Sequence, residues 1–89
     1  MPRTRINGLY ESIGDLIRGY REIKGITQQK LAEDSGLTRT SVVHIEKGKQ
    51  RMPIDRLYRI AAALGVGVVD ILPIKTKGAQ LDVLSNLEI

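Results

Sequence analysis

The sequence predicts an all-α domain of five short helices, and three observations predict it. Apolar residues recur at helical spacing in four successive segments, and each of these segments closes on a glycine: Gly25, Gly36, Gly48 and Gly65. The apolar complement is also strongly aliphatic. Of 89 residues 42% are hydrophobic, with no Phe, no Trp and three Tyr, so the core must be built from Leu, Ile, Val and Ala on the scale of one small domain.

In chain order, Ile13, Leu16, Ile17 and Tyr20 fall at i, i+3, i+4 and i+7, which predicts a first helix running to about Lys24 before Gly25. Its start is open. Ser12 with Asp15 three positions later resembles a capping box, whereas Asn7-Gly8 would begin the helix earlier. Thr27 is suited to cap a second helix over Gln28 to Ser35, with Leu31, Ala32 and Ser35 on its buried face. Gly36 supplies a left-handed stop, Leu37 an apolar plug, and Thr38 a second cap for a third helix through Lys47 that buries Val42 and Ile45. Pro53 suits a first helical position, and Ile54, Leu57, Ile60, Ala61 and Leu64 form the stripe of a fourth helix. Val66, Val68, Ile71 and Leu72 mark a short fifth helix, begun near Gly67 and closed by Pro73.

Charge and chemistry narrow the function. The formal net charge is +4, and between Arg39 and Arg51 four basic residues (Arg39, Lys47, Lys49, Arg51) stand against the single acid Glu46. A basic cluster on and just after one helix is the footprint of a phosphate-binding face. The chain has no cysteine, one histidine, no Gly-rich phosphate loop and no convergent carboxylates, so no catalytic residue, metal site or cofactor is nominated. Apolar runs such as Ile60 to Leu64 are far too short to span a membrane, and the N-terminus lacks the apolar stretch of a signal peptide. The expectation is a soluble, unprocessed, cytoplasmic protein with no membrane partner.

Two short helices joined by a glycine turn match the helix-turn-helix pattern, whose second helix enters the major groove. The chain resembles the Cro/C1-type helix-turn-helix family of phage and bacterial regulators. The resemblance rests on Ile17-Arg18, Arg21, Lys24 to Gln28, Leu31-Ala32, Gly36-Leu37, Val42, Ile45 to Gly48, Leu57, Ile60-Ala61, Leu64 to Val66 and Ile71-Leu72. It implies a compact five-helix, lambda-repressor-like domain over 12–72, with an N-terminal arm at 1–11 and a tail at 73–89. It also implies an ion pair between Arg21, late in the first helix, and Glu46, near the end of the third.

The implied partner is double-stranded DNA. Arg39, Thr40, Val43 and His44 occupy one side of the third helix and are the candidate base contacts. Arg39 fits guanine O6 and N7 or a phosphate, and both roles stay open. Val43 fits a thymine methyl group, and His44 either a base edge or a plain surface position. Thr27, Gln28, Ser41, Lys47, Lys49 and Arg51 are the candidates for phosphate contact or bracing. Gln28 opens a helix whose N–H groups attract phosphate, and the resemblance adds a bracing role toward the next helix. Arg3 and Arg5 are read as part of a disordered terminus rather than as a DNA-touching arm.

A reader of this size is expected to act as a homodimer on a palindromic site. Val69 is an unexplained apolar residue on the last helix. Leu81, Val83, Leu87 and Ile89 alternate with Asp82, Asn86 and Glu88, with Leu84 and Ser85 breaking the rule, which argues for a dimerising strand; an amphipathic helix or a disordered tail are the alternatives. The functional expectation is a sequence-specific regulator, in the first instance a repressor and often of its own gene. The alternatives are an antitoxin-type module whose tail binds a partner protein, and a restriction-modification controller.

Overall fold

The computed structural model describes residues 6–73. Four α-helices and one 3-10 turn follow in order: α1 (Ile6–Ile23), α2 (Gln28–Ser35), α3 (Arg39–Glu46), α4 (Ile54–Leu64), and the turn Val68–Ile71. No strand occurs among the described residues. Arg3 and Arg5, and the strand expected to carry Leu81, Val83 and Leu87, lie outside them.

All four helices end in the same way, and the ending is written in the sequence. Gly25, Gly36, Gly48 and Gly65 have φ between +70° and +74°. The residue after each glycine donates its N–H five residues back: Ile26 to Arg21, Leu37 to Ala32, Lys49 to His44, and Val66 to Ala61. In three cases that residue is apolar and packs on the core: Ile26, Leu37 and Val66. At the fourth, the end of α3, it is the exposed Lys49. The turn geometry is kept there while the apolar anchor is replaced by a cation at the surface.

The starts are equally local. Thr27 Oγ1 accepts from the N–H of Lys30 at 3.0 Å, and Thr38 Oγ1 accepts from the N–H of Ser41 at 3.1 Å. These two threonines fix where α2 and α3 begin, and Gly36 between them fixes the turn.

The core is a single aliphatic cluster. Ile13 and Ile17 of α1, Leu31 and Ala32 of α2, Val42 and Ile45 of α3, Leu57, Ile60, Ala61 and Leu64 of α4, and Ile71 are all buried. Helix α2 packs on α3 and α4, and α1 closes the other side against α3, α4 and the 3-10 turn. Ser35, buried on α2, donates from Oγ to the Leu31 carbonyl at 2.6 Å, so its polarity is satisfied inside the helix. On the outer face of α4, Arg59 donates to Asp55 Oδ2 at 3.1 Å and holds that carboxyl below the usual range. Solvent leaves such a pair little weight in stability.

Three expectations are corrected. Helix α1 begins at Ile6, so residues 6–11 belong to it rather than to an arm; Tyr10, packed on the core, extends the stripe of Ile13 and Ile17 by one turn. The fifth helix is one 3-10 turn. It has four residues between Gly67, whose N–H is taken by Asp70 Oδ2 at 2.9 Å, and Leu72, whose extended backbone suits the residue before Pro73. Ile54, placed by periodicity in the core stripe of α4, is 68% exposed, because it sits in the first turn, ahead of the part of α4 that carries the buried residues.

Candidate nucleic-acid interface

Helix α3 carries two opposed functions on eight residues. Val42, Ile45 and Glu46 face inward, while Arg39, Thr40 and His44 are exposed and Val43 and Ser41 are half-buried. The outward set is a donor-rich surface with one apolar element in it, the composition that major-groove edges select. The structure brings these four candidate base contacts onto one helix surface. Ser41 is less free than its hydroxyl implied, since its Oγ accepts from Thr38 Oγ1 at 3.2 Å within the cap of α3.

The inward acid holds α3 in place. Glu46, 7% exposed, accepts from Arg21 twice, from Nε to Oε2 at 2.6 Å and from Nη2 to Oε1 at 3.1 Å. Gln28 Nε2 adds a third bond to Oε1 at 3.1 Å, and Arg21 Nη1 donates to the Ile26 carbonyl at 2.9 Å. One carboxylate thus ties the end of α1, the start of α2 and the end of α3 together by charge-assisted bonds. The bond from Glu46 raises the Arg21 guanidinium further above its ordinary pKa, against the opposing effect of burial. Gln28 therefore spends one of its two amide N–H groups on the brace, and the other, with its backbone N–H, is what remains for an anion.

Burial of Glu46 also changes the charge of the surface. The single acid of the Arg39 to Arg51 stretch is withdrawn and neutralised, while Arg39, Lys47, Lys49 and Arg51 stay exposed. The local excess of positive charge is larger in space than in the sequence count.

Two glycines let α1 approach this region closely. A Cβ on Gly14 would lie 2.6 Å from the Glu46 carbonyl oxygen, and one on Gly48 would lie 2.6 Å from Glu11 Cα. Gly48 also needs its φ of +73°. Helix α1 is pressed against the last turn of α3 at these two points. Periodicity alone does not single out Gly14, since the apolar stripe merely passes over it; only its neighbours in space reveal the role.

A helix-turn-helix family model matches residues 17–71, most of the described chain. The chain belongs to the helix-turn-helix family. An uncharacterized HTH-type transcriptional regulator of Methanothermobacter thermautotrophicus is 39% identical over 66 residues, covering 73% of this chain and 96% of the relative. The control protein C.SmaI of Serratia marcescens is 34% identical over 62 residues, covering 70% and 74%. Among solved structures, the restriction-modification controller protein C.AhdI of Aeromonas hydrophila superposes with a TM-score of 0.69 at 28% identity, over 71% of this chain and 96% of that one. This helix-turn-helix protein is accordingly a DNA-binding transcriptional regulator by family, with α2 and α3 as the helix-turn-helix unit. None of its described helices is long and apolar enough to cross a membrane.

Proposed function

We propose that the protein binds a palindromic operator as a homodimer, with α3 in the major groove, and represses by occluding a promoter. The observation that carries this reading is the division of α3: its outward face of Arg39, Thr40, Val43 and His44 is free while Glu46 on the same helix is locked inward. Arg39, Thr40, Val43 and His44 read base edges. Thr27, Gln28, Ser41, Lys47, Lys49 and Arg51 position the protein on the backbone. Selection of bound duplexes from a random pool is expected to enrich two related half-sites with centres about one helical turn apart. A pool that stays unenriched would contradict the proposal.

The loop Lys47 to Arg51 supplies affinity without sequence preference. Lys49→Gln is expected to weaken binding to operator and unrelated duplex by the same factor and to flatten the salt dependence by up to about one unit. A loss confined to the operator would assign Lys49 to base reading instead.

The dimer surface is proposed on α4 and the 3-10 turn, where Ile54, Tyr58 and Val69 are 68%, 61% and 47% exposed. Apolar side chains left this open are suited to a second copy. Val69→Asp is expected to leave the melting temperature of the monomer unit intact and to convert a dimer mass in sedimentation to a monomer mass. An unchanged dimer mass removes Val69 from the interface. Among relatives, the names control protein and restriction-modification controller favour one biological setting, in which a methyltransferase and a nuclease are encoded beside this gene. Inspection of the neighbouring genes tests it.

A further inference from the structure

We propose that Arg18, on the scaffold helix α1, is a DNA-anchoring residue that grips a backbone phosphate seated between α1 and the first turns of α2 and α3. This rests on the reading of α3 as the groove helix. Arg18 and Arg39 line one open cleft, together with Thr27, Gln28 and Gln29 at the start of α2. The charged residues around it are Arg18, Arg21 and Arg39 against Glu22, a formal +2. Arg21 is already committed to Glu46. Among the described residues, neither Arg18 nor Arg39 has a carboxylate at ion-pair distance.

The ordinary reasons for an arginine at this place on a helix do not apply. Glu22, four residues on, is the natural helix-surface partner of Arg18, yet its nearest ion contact is Arg21 at 4.0 Å. Arg18 also stands more than a turn before the end of α1 at Ile23, beyond the reach of the helix dipole. Two unpaired guanidiniums facing one cleft repel each other, and a phosphodiester between them removes that repulsion while accepting their N–H groups. Of the two unpaired cations lining the cleft, the helix-turn-helix unit supplies only Arg39. Arg18 supplies the other from α1, so the contact fixes the angle at which the whole domain sits on the duplex.

The test is a salt titration of duplex affinity for the full chain and for Arg18→Gln, Arg18→Lys and Arg59→Gln, using a selected operator and an unrelated duplex. Arg59→Gln removes the same charge from α4, where the guanidinium donates to Asp55 and to the Ser35 carbonyl and lines no part of the cleft. Arg18→Gln is expected to weaken both duplexes several-fold and by the same factor, with a log-log salt slope shallower by about 0.9, while Arg59→Gln keeps the slope of the parent. Arg18→Lys restores the slope because the charge returns. An unchanged slope in Arg18→Gln, or a loss confined to the operator, overturns the proposal. A parent chain that binds no duplex overturns the DNA-binding reading instead, whatever Arg18 does.

Discussion

Glu46→Ala is expected to destabilise the domain by about 3 kcal/mol and to lower DNA affinity with it. Removing the acid leaves Arg21, whose side chain is only 12% exposed, with the exposed Glu22 at 4.0 Å as its one remaining counter-charge among the described residues, and breaking a buried pair from one side costs about 3 to 5 kcal/mol. The lower end applies because Arg21 keeps its bond to the Ile26 carbonyl and lies close enough to solvent to relax. In a domain of this size each kcal/mol shifts the melting temperature by about 4 to 8 °C. Affinity falls for a separate reason: Gln28 also loses its acceptor, and the end of α3 is no longer tied to α1 and α2. Thermal melting and duplex titration of the same variant check both halves, and unchanged melting would remove the brace from the account.

Gly14→Ala and Gly19→Ala, two identical changes five residues apart on α1, are expected to have opposite signs. At Gly14 the new methyl meets the Glu46 carbonyl oxygen at 2.6 Å and its carbon at 2.8 Å, backbone atoms that cannot swing aside. Forcing α1 away from α3 lies at the upper end of the overpacking range, about 3 kcal/mol, because all the atoms met are backbone, and this exceeds the roughly 1 kcal/mol that alanine returns in helix propensity. At Gly19 nothing lies within 4 Å of the added carbon, so only the propensity gain remains and the variant is about 0.5 to 1 kcal/mol more stable. Denaturant unfolding of the two variants measures the difference. Equal effects would show that the close crossing of α1 and α3 is not tight.

Helix ends were legible because each is set by a local device: Thr27 and Thr38 cap their own following turns, and Gly25, Gly36, Gly48 and Gly65 each close their own preceding one. The core stripe was legible for the same reason, except at Ile54, where periodicity continues past the point at which α4 has neighbours. The resemblance pairs Arg21 and Glu46, 25 residues apart, and has Gln28 bracing the next helix; the structure gives the partner of that brace, the same Glu46. Gly14 and Arg18 escaped, since the first matters only because α3 crosses it and the second only because α1 brings it opposite Arg39. Two local signals compete for the start of α1, and the tertiary contact of Tyr10 decides for the earlier one.

On the proposed reading, the outward face of α3 reads bases while its surroundings hold position. The direct measurement is the affinity of His44→Ala, beside the parent, for a set of operators each changed at one base pair. Loss of discrimination at one position of each half-site, worth about 1 to 3 kcal/mol there with the other positions unchanged, is the predicted result. A uniform loss across all operators, with every preference retained, would contradict it.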